Sequence, residues 1–320
     1  MTGGAGYIGS HACKALFDAG YLPITYDSLV SGHEWAVKWG PLERGDIADR
    51  ERLGQVLLRY KPVAAMHFAA HIAAGESVTD PGKYYGNNVA GTLSLLEALR
   101  AAGMSRLVYS STAAVYGTPN TVPIPETHPL CPINPYGRSK LMIEQALADY
   151  ASAYDFRVTA LRYFNVAGAD HAAGIGEVHD PETHLIPLLL AAVDGRSTSL
   201  TIYGDDYPTA DGTCIRDYIH VTDLAEAHVL ALDRASDAER FATFNLGGGE
   251  GRSVRQVIRA AEQLAGRKVP HSIGPRRTGD PSALVSDIAR ASSVLGWKPT
   301  RSSLERQIGD AWAWHRQHFG

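Results

Sequence analysis

Tyr136 and Lys140 stand four residues apart in Asn134-Pro135-Tyr136-Gly137-Arg138-Ser139-Lys140, at the start of an apolar-periodic run. Pro135 suits a first helical turn, and Leu141, Ile143, Leu147 and Tyr150 continue at helical spacing. Positions i and i+4 share a helix face, so this phenol and this ammonium would point into one space. The ammonium's charge would lower the phenol from its ordinary pKa of about 10 and make it a base for an alcohol proton near neutral pH. An isolated Tyr-x-x-x-Lys reads equally as a helix with two exposed side chains. The elements around it decide between the two.

A second group with chemical potential is Gly3-x-x-Gly6-x-x-Gly9, opening an apolar-periodic helix that Gly20 closes, followed by a strand from Pro23 to Tyr26 that ends at Asp27. Glycines allow a tight turn and a close backbone approach to a pyrophosphate at a helix N-terminus, and an acid about 20 residues later can bind a ribose hydroxyl. The acid should repel a 2′-phosphate, and Ser28-Leu29 offers no Arg to receive one, so NAD is favoured over NADP. Only Met1 and Thr2 precede the loop, where a doubly wound sheet has its central strand. The expectation is a truncated first strand and a native chain that starts upstream.

Strands and helices then alternate: Gly45-Asp46-Ile47 after an extended segment, a helix from Asp49 to Tyr60, a strand from Val63 to Phe68, and Phe68-Ala69-Ala70-His71 beyond its carboxyl end. Pro81 opens one long helix closed by Gly103, richer in apolar and aromatic side chains than a single buried stripe requires. A partner helix from a second subunit would cover the surplus, together with the helix that begins at Tyr136. The strand Arg106 to Ser110 leads into Ser111-Thr112, hydroxyls that serve either strand-end hydrogen bonding or the Tyr–Lys site. The strand Arg157 to Leu161 follows. This alternation predicts an α/β fold, a Rossmann-type doubly wound parallel sheet, with a smaller α/β substrate-binding domain.

The expected domains are 1–166 for NAD, with 215–248 partly returning to it, and 167–214 plus 249–320 for substrate. A helix from Val221 to Arg234, capped by Thr222 or Asp223, would pack back on the first domain. A chain of 320 residues, 45% hydrophobic with net charge −4, supports a large core and carries no basic footprint for nucleic acid or span for a membrane. Cys13, Cys131 and Cys214 form no CxxC pair, and no leader pattern opens the chain, which points to a reducing cytoplasm. No metal site is expected. His67 and His71 straddle a strand and a loop, and His315 and His318 read as surface residues.

The combined motifs resemble the extended short-chain dehydrogenase/reductase family, in its NAD-dependent epimerase/dehydratase branch, almost from end to end. They are Thr2 to Gly9, Gly75-Glu76-Ser77, Tyr84-Tyr85-Gly86-Asn87-Asn88-Val89, Ser110-Ser111-Thr112, Tyr136 to Lys140, Arg162-Tyr163-Phe164-Asn165, Asp206-Tyr207-Pro208-Thr209 and Arg216-Asp217-Tyr218-Ile219-His220-Val221. The resemblance implies a permanently bound NAD, with Gly3, Gly6, Tyr7, Ile8 and Gly9 at its pyrophosphate and Asp27 at its adenosine ribose, beside Ser28, Leu29 and Ser31. It sets Asp46 and Ile47 at the adenine. Phe68, Ala69, Ala70, Asn87, Ser110, Tyr163 and Phe164 would line the rest of the cofactor path, and Lys140 would hold the nicotinamide ribose.

For a UDP sugar the resemblance implies contacts from Thr112, Asn165, His184, Leu185, Ile202, Tyr203, Arg216, Arg277, Asp280 and Leu284. Taken alone, the two arginines would read as surface residues; beside a diphosphate they supply paired donors. The implied reaction interconverts UDP-glucose and UDP-galactose. Tyr136 takes the 4-hydroxyl proton while C4 passes hydride to NAD, Thr112 binds or relays, and the 4-keto sugar turns over before the hydride returns. Four positions depart from the family pattern: Thr112 where Ser is frequent, Ile72 where some members are basic, His184 where Asn is usual, and Leu284 at the position whose bulk is associated with N-acetyl tolerance. Another UDP sugar, a pentose or an N-acetylhexosamine, stays open as substrate. Ala113-Ala114 replaces the acid pair that a dehydratase needs, and intact Tyr136 and Lys140 speak against a silent NAD-binding sensor.

Overall fold

Short buried strands separated by amphipathic helices build a parallel sheet first, and the rest of the chain is laid against its carboxyl end. In the computed structural model, which describes residues 1–197, 200–234, 239–277 and 280–320, the chain runs α1 (Tyr7–Asp18), β1 (Thr25–Asp27), β2 (Leu42–Arg44), α2 (Arg50–Tyr60), β3 (Ala65–His67), α3 (Ala74–Thr79), α4 (Pro81–Tyr84), α5 (Thr92–Ala101), β4 (Arg106–Thr112), α6 (Pro135–Ala153) and β5 (Arg157–Tyr163). There follow β6 (Asn165–Ala167), α7 (Leu185–Val193), β7 (Leu200–Tyr203), β8 (Ile215–His220), α8 (Val221–Asp233), β9 (Phe241–Leu246), β10 (Gly251–Ser253), α9 (Val254–Ala265), β11 (His271–Gly274), β12 (Ala283–Leu284), α10 (Ala289–Leu295) and α11 (Leu304–Phe319).

The parallel strands lie in the orders β1-β2 and β3-β4-β5-β9. Thr2 joins the two sets, bridging Tyr26 on one side and His67 on the other. Its amide donates to Met66 O at 3.0 Å, and the Gly3 amide donates to Tyr26 O at 3.0 Å. Met1 and Thr2 therefore hold the central place of the sheet, between β1 and β3. His67 is buried there between the hydroxyls of Thr2 (2.7 Å) and Thr92 (2.8 Å), a structural pairing.

Alternation along the strands separates two cores. Leu107 and Tyr109 of β4 face Leu96, Ile143 and Leu147 on the side of α2, α5 and α6. Val108 between them faces Leu16, Leu224 and Trp297 on the side of α1, α8 and α10. A third core, with Ile186, Leu189, Ile258 and Ile308, lies among α7, α9 and α11. Two small sheets complete this part: β10-β8-β12, with β6 also on β8, and β11-β7.

Three local expectations change. The helix from Pro81 is interrupted by a π-helical segment, Tyr85–Gly91, before α5 resumes. Gly91 there lies so close to Ile47 that an added Cβ would sit 2.9 Å from its Cδ1. Second, α8 is capped by His220, whose Nδ1 accepts from the Thr222 amide at 3.1 Å, rather than by Thr222 or Asp223. Burial holds His220 below the usual histidine pKa, which keeps an acceptor nitrogen available. Asp223 is instead fully buried and accepts from the Arg301 amide at 2.7 Å and the Ser302 hydroxyl at 2.9 Å. Third, His315 is a buried residue, stacked on Trp312 at 5.7 Å, because α11 turns this face inward; His318 stacks on Trp314 at 4.6 Å.

Candidate active site

The first turn of α6 is set by Asn134, whose Oδ1 accepts from the Gly137 amide at 2.8 Å, and by Pro135 at the helix start. Gly137 permits a close approach, since a Cβ there would lie 2.6 Å from Ala114 O in the turn after β4. That contact brings Tyr136 to the carboxyl end of β4, where the Thr112 side chain hydrogen-bonds its phenol. Lys140, one turn on, is 2% exposed and donates from Nζ to Ser110 O at 2.7 Å. Its ammonium also lies 5.0 Å from the Tyr109 ring centre.

Burial raises the Tyr136 pKa, with the Thr112 hydrogen bond acting the other way. Burial lowers Lys140 to about 7, opposed by the Glu144 carboxylate. The expected lowering of the phenol by Lys140 therefore does not appear in the protein by itself. Removal from water is the larger influence on the phenol, and the amine is directed at the Ser110 carbonyl.

A buried polar network fixes this strand end. Glu144 accepts from the Ser111 hydroxyl and from Arg162, whose Nη2 is 2.5 Å away. Arg162 also donates to the Tyr116 hydroxyl at 3.0 Å, which donates to Asn245 Oδ1 at 2.6 Å. Ser110 and Tyr163 are joined through their hydroxyls. Asn88, in the π-helical segment, accepts from the His71 amide at 2.9 Å and donates to Ser139 at 3.2 Å, strapping the loop after β3 to α6. Glu144 had no place in the sequence-based expectation, although its spacing of four from Lys140 on an otherwise apolar helix face marks it.

The glycine loop fits a dinucleotide. Gly3 has φ +75°, and an added Cβ would lie 2.5 Å from Ala69 N. A Cβ on Gly9 would meet Gly3 O at 2.1 Å. The N-cap of α1, Gly6, supplies no side-chain cap, so the first amides of the helix are left to an outside acceptor such as phosphate. Asp27 is aimed by the amides of Ala5 (2.9 Å) and Leu29 (2.8 Å), with lone pairs to spare for ribose hydroxyls. Tyr26 donates to Asp46 O at 2.8 Å, and Ile47 is buried beside it. Phe68, Ala69 and Ala70 follow β3, Asn87 donates to Asn88, and Phe164 is buried at the end of β5. Ile8 packs partly buried against the α1-side core, while Ser28 and Ser31 are exposed. The Tyr7 hydroxyl is committed to Gly168 O at 2.6 Å, leaving its backbone for a phosphate.

Beyond the end of β5, β8 carries Arg216, with Leu284 of β12 as its register partner and β6, which begins at Asn165, alongside. Arg216 is ion-paired with Asp280. The Arg277 guanidinium stacks over the Tyr203 ring at 4.2 Å. Leu284 packs beside Phe164, Tyr116 and Ile124. Ile202 does not present its side chain to a ligand; it is 1% exposed inside the third core. His184 caps α7 just before Leu185 and reaches Glu182 at 2.9 Å and Glu177 at 3.0 Å through Nδ1. Burial opposes its protonation, but the two carboxylates raise it to about 10. The spacing Glu177-x-His179-x-x-Glu182-x-His184 was legible in the sequence as a set of ligating residue types and was passed over there.

A parallel sheet with a glycine cradle at its first turn and a Tyr–Lys–Thr group at the end of β4 defines a nucleotide-dependent epimerase or dehydratase. The chain belongs to the NAD dependent epimerase/dehydratase family, whose model matches residues 1–247. It is similar over nearly its whole length to proteins named UDP-glucose 4-epimerase. That of Rhizobium meliloti (strain 1021) is 51% identical over 315 residues, covering 98% of this chain and 96% of the relative. The crystal structure of UDP-glucose 4-epimerase from Brucella ovis in complex with NAD is 52% identical with a TM-score of 0.94, covering 97% of this chain and 96% of that one. The Bifidobacterium longum enzyme in complex with NAD+ and UDP is 37% identical with a TM-score of 0.94, over 99% and 97% of the two chains.

Proposed function

We propose that this protein interconverts UDP-galactose and UDP-glucose by inverting C4 of the sugar, with NAD held through the cycle. The observation that carries the reading is the half-buried Tyr136 beside the buried Thr112, with the buried Lys140 one turn away, on the same sheet end as the glycine cradle. Gly3, Gly6 and Gly9 would receive the NAD pyrophosphate and Asp27 its ribose, and NAD bound there supplies the acceptor and donor of hydride. Tyr136 takes the proton from the 4-hydroxyl and gives it back after the sugar has turned. Thr112 holds the same oxygen. Lys140, when protonated, favours the phenolate by its charge. Arg216 and Arg277 would grip the diphosphate, so that binding energy remote from C4 retains the ketone while the sugar stays free to turn.

We assign NAD binding to residues 1–166, with 215–248 in part, and substrate binding to 167–214 and 249–320. The helices that start near Pro81 and Tyr136, α4 with its continuation and α6, would join two copies in a homodimer. The free cysteines Cys13, Cys131 and Cys214 fit a cytoplasmic location, and none of the described helices is long and apolar enough to cross a membrane.

Purified protein incubated with UDP-galactose, with no cofactor added, is expected to produce UDP-glucose, followed by NMR of the anomeric proton. Folded protein that carries NAD yet leaves UDP-galactose unchanged would overturn the reading. Leu284, of intermediate size beside Phe164, favours a second reading in which other UDP sugars are also accepted. Turnover mainly of a UDP pentose or a UDP-N-acetylhexosamine in the same assay would make that reading the principal one.

A further inference from the structure

Glu177, His179, Glu182 and His184 lie within one short loop before α7, and their ligating atoms all fall within 4.8 Å of one another. Each carboxylate sits between both imidazoles. His184 Nδ1 is 3.0 Å from Glu177 Oε1 and 2.9 Å from Glu182 Oε1. His179 Nδ1 is 3.3 Å from Glu177 Oε1 and 3.5 Å from Glu182 Oε2. Zinc bound to nitrogen and oxygen at about 2.0–2.1 Å in a tetrahedron has ligand-to-ligand edges of about 3.3–3.4 Å. The loop already holds its unlike ligands at close to that spacing. We propose that these four side chains form a tetrahedral His2Glu2 site for a divalent cation of the zinc type.

Three further features fit. His179 Nδ1 is buried without a well-formed hydrogen bond while two carboxylates face it, so this nitrogen meets either a proton of its own or a cation held between the carboxylates. Glu182 is oriented by the Thr183 and His184 amides at 2.7 and 2.8 Å, the outer contacts that aim a carboxylate at an ion. A cavity of about 180 Å³ lined by Glu177, His179 and Glu182 gives a route of entry. Two carboxylates with two neutral imidazoles balance a doubly charged ion. The mixed nitrogen and oxygen set suits zinc better than calcium or magnesium, which take oxygen. The ion would anchor the loop against the first domain, where His33 Nε2 meets Val178 O at 3.2 Å. Its role would be positional, fixing the start of α7.

The same charge balance arises if both imidazoles are protonated and no ion binds, and the experiment separates the two states. Untagged full-length protein is dialysed against a chelator, then returned to Zn2+ or Co2+, and bound metal is counted by plasma mass spectrometry. The expected result is one zinc per chain, an intense visible spectrum of tetrahedral Co2+, and a thermal midpoint that falls on chelation and recovers with zinc. His179→Ala and Glu177→Gln are expected to keep the wild-type circular dichroism, to lose stoichiometric zinc, and to lose the response of the midpoint to chelator. Folded wild type that takes up no more zinc than these variants, or that binds Co2+ only with the weak bands of an octahedral site, would overturn the proposal.

Discussion

At the scale of single residues, the site depends on two groups whose burial works against their chemistry. Tyr136 carries a raised pKa and Lys140 one lowered to about 7, both chiefly through desolvation. Tyr136→Phe removes the acid/base while keeping the ring, so turnover of UDP-galactose should fall by about 10²–10⁴ with NAD still bound. A variant with unchanged turnover, followed by the same NMR assay, would sink the assignment.

Lys140 yields a pH-dependent expectation. An unfolded chain keeps this lysine protonated up to its ordinary pKa of 10.5, whereas the folded protein releases the proton above about 7. The unfolded state thus binds more protons between these values, so stability rises with pH across that window and the cost of the burial is complete below it. Lys140→Met should raise the thermal midpoint of cofactor-free protein at pH 7, with a gain that shrinks towards pH 10, and should lower turnover. A variant less stable than wild type at pH 7 would contradict this account.

At the scale of elements, the end of β4 is held by the buried Arg162–Glu144 pair, with side chains 4% and 3% exposed. Removing one partner leaves a charge buried without compensation, so Arg162→Met should cost about 3–5 kcal/mol in denaturant unfolding. Adding Glu144→Leu to the same chain should recover most of that loss, because the pair's own desolvation cost disappears with it. If the double variant were no more stable than the single one, the network would matter through shape rather than charge.

Much of this layer was legible beforehand. The strand from Arg106 to Ser110, which runs on to Thr112 in the fold, the capped start of α6 and the glycine turn of α1 follow from alternation, proline placement and glycine spacing, all of which act over a few residues. The π-helical segment at Tyr85–Gly91 was not legible, since Gly91 accommodates Ile47 from 44 positions earlier in the chain. The burial of His315 depends likewise on a distant partner, Asp194, and the His220 ring that caps α8 faces Asp310 on its other side at 3.2 Å.

For the molecule as a whole, the proposed homodimer has a specific face. Val78 on α3 and Met142 on α6 are 64% and 47% exposed on helices that pack against each other. Exposed apolar side chains on α3 and α6, beside the helix that begins at Pro81, fit a self-complementary contact. Wild type should sediment as a dimer, and Met142→Glu should shift it to monomer without loss of circular dichroism. Monomeric wild type at micromolar concentration would remove the interface from consideration.

The amino-acid order by itself determined the alternating α/β plan, the phosphate loop with its acid at Asp27, and the placing of Tyr136 and Lys140 on one helix face. Each of these is a local matter of backbone geometry and period. Only the tertiary structure decided how the charges stand: Lys140 on the Ser110 carbonyl, Tyr136 on Thr112, Glu144 on Arg162, and four ligating side chains gathered ahead of α7. Desolvation and pairing are set by what the whole chain packs around a group, and no spacing along the sequence encodes that by itself.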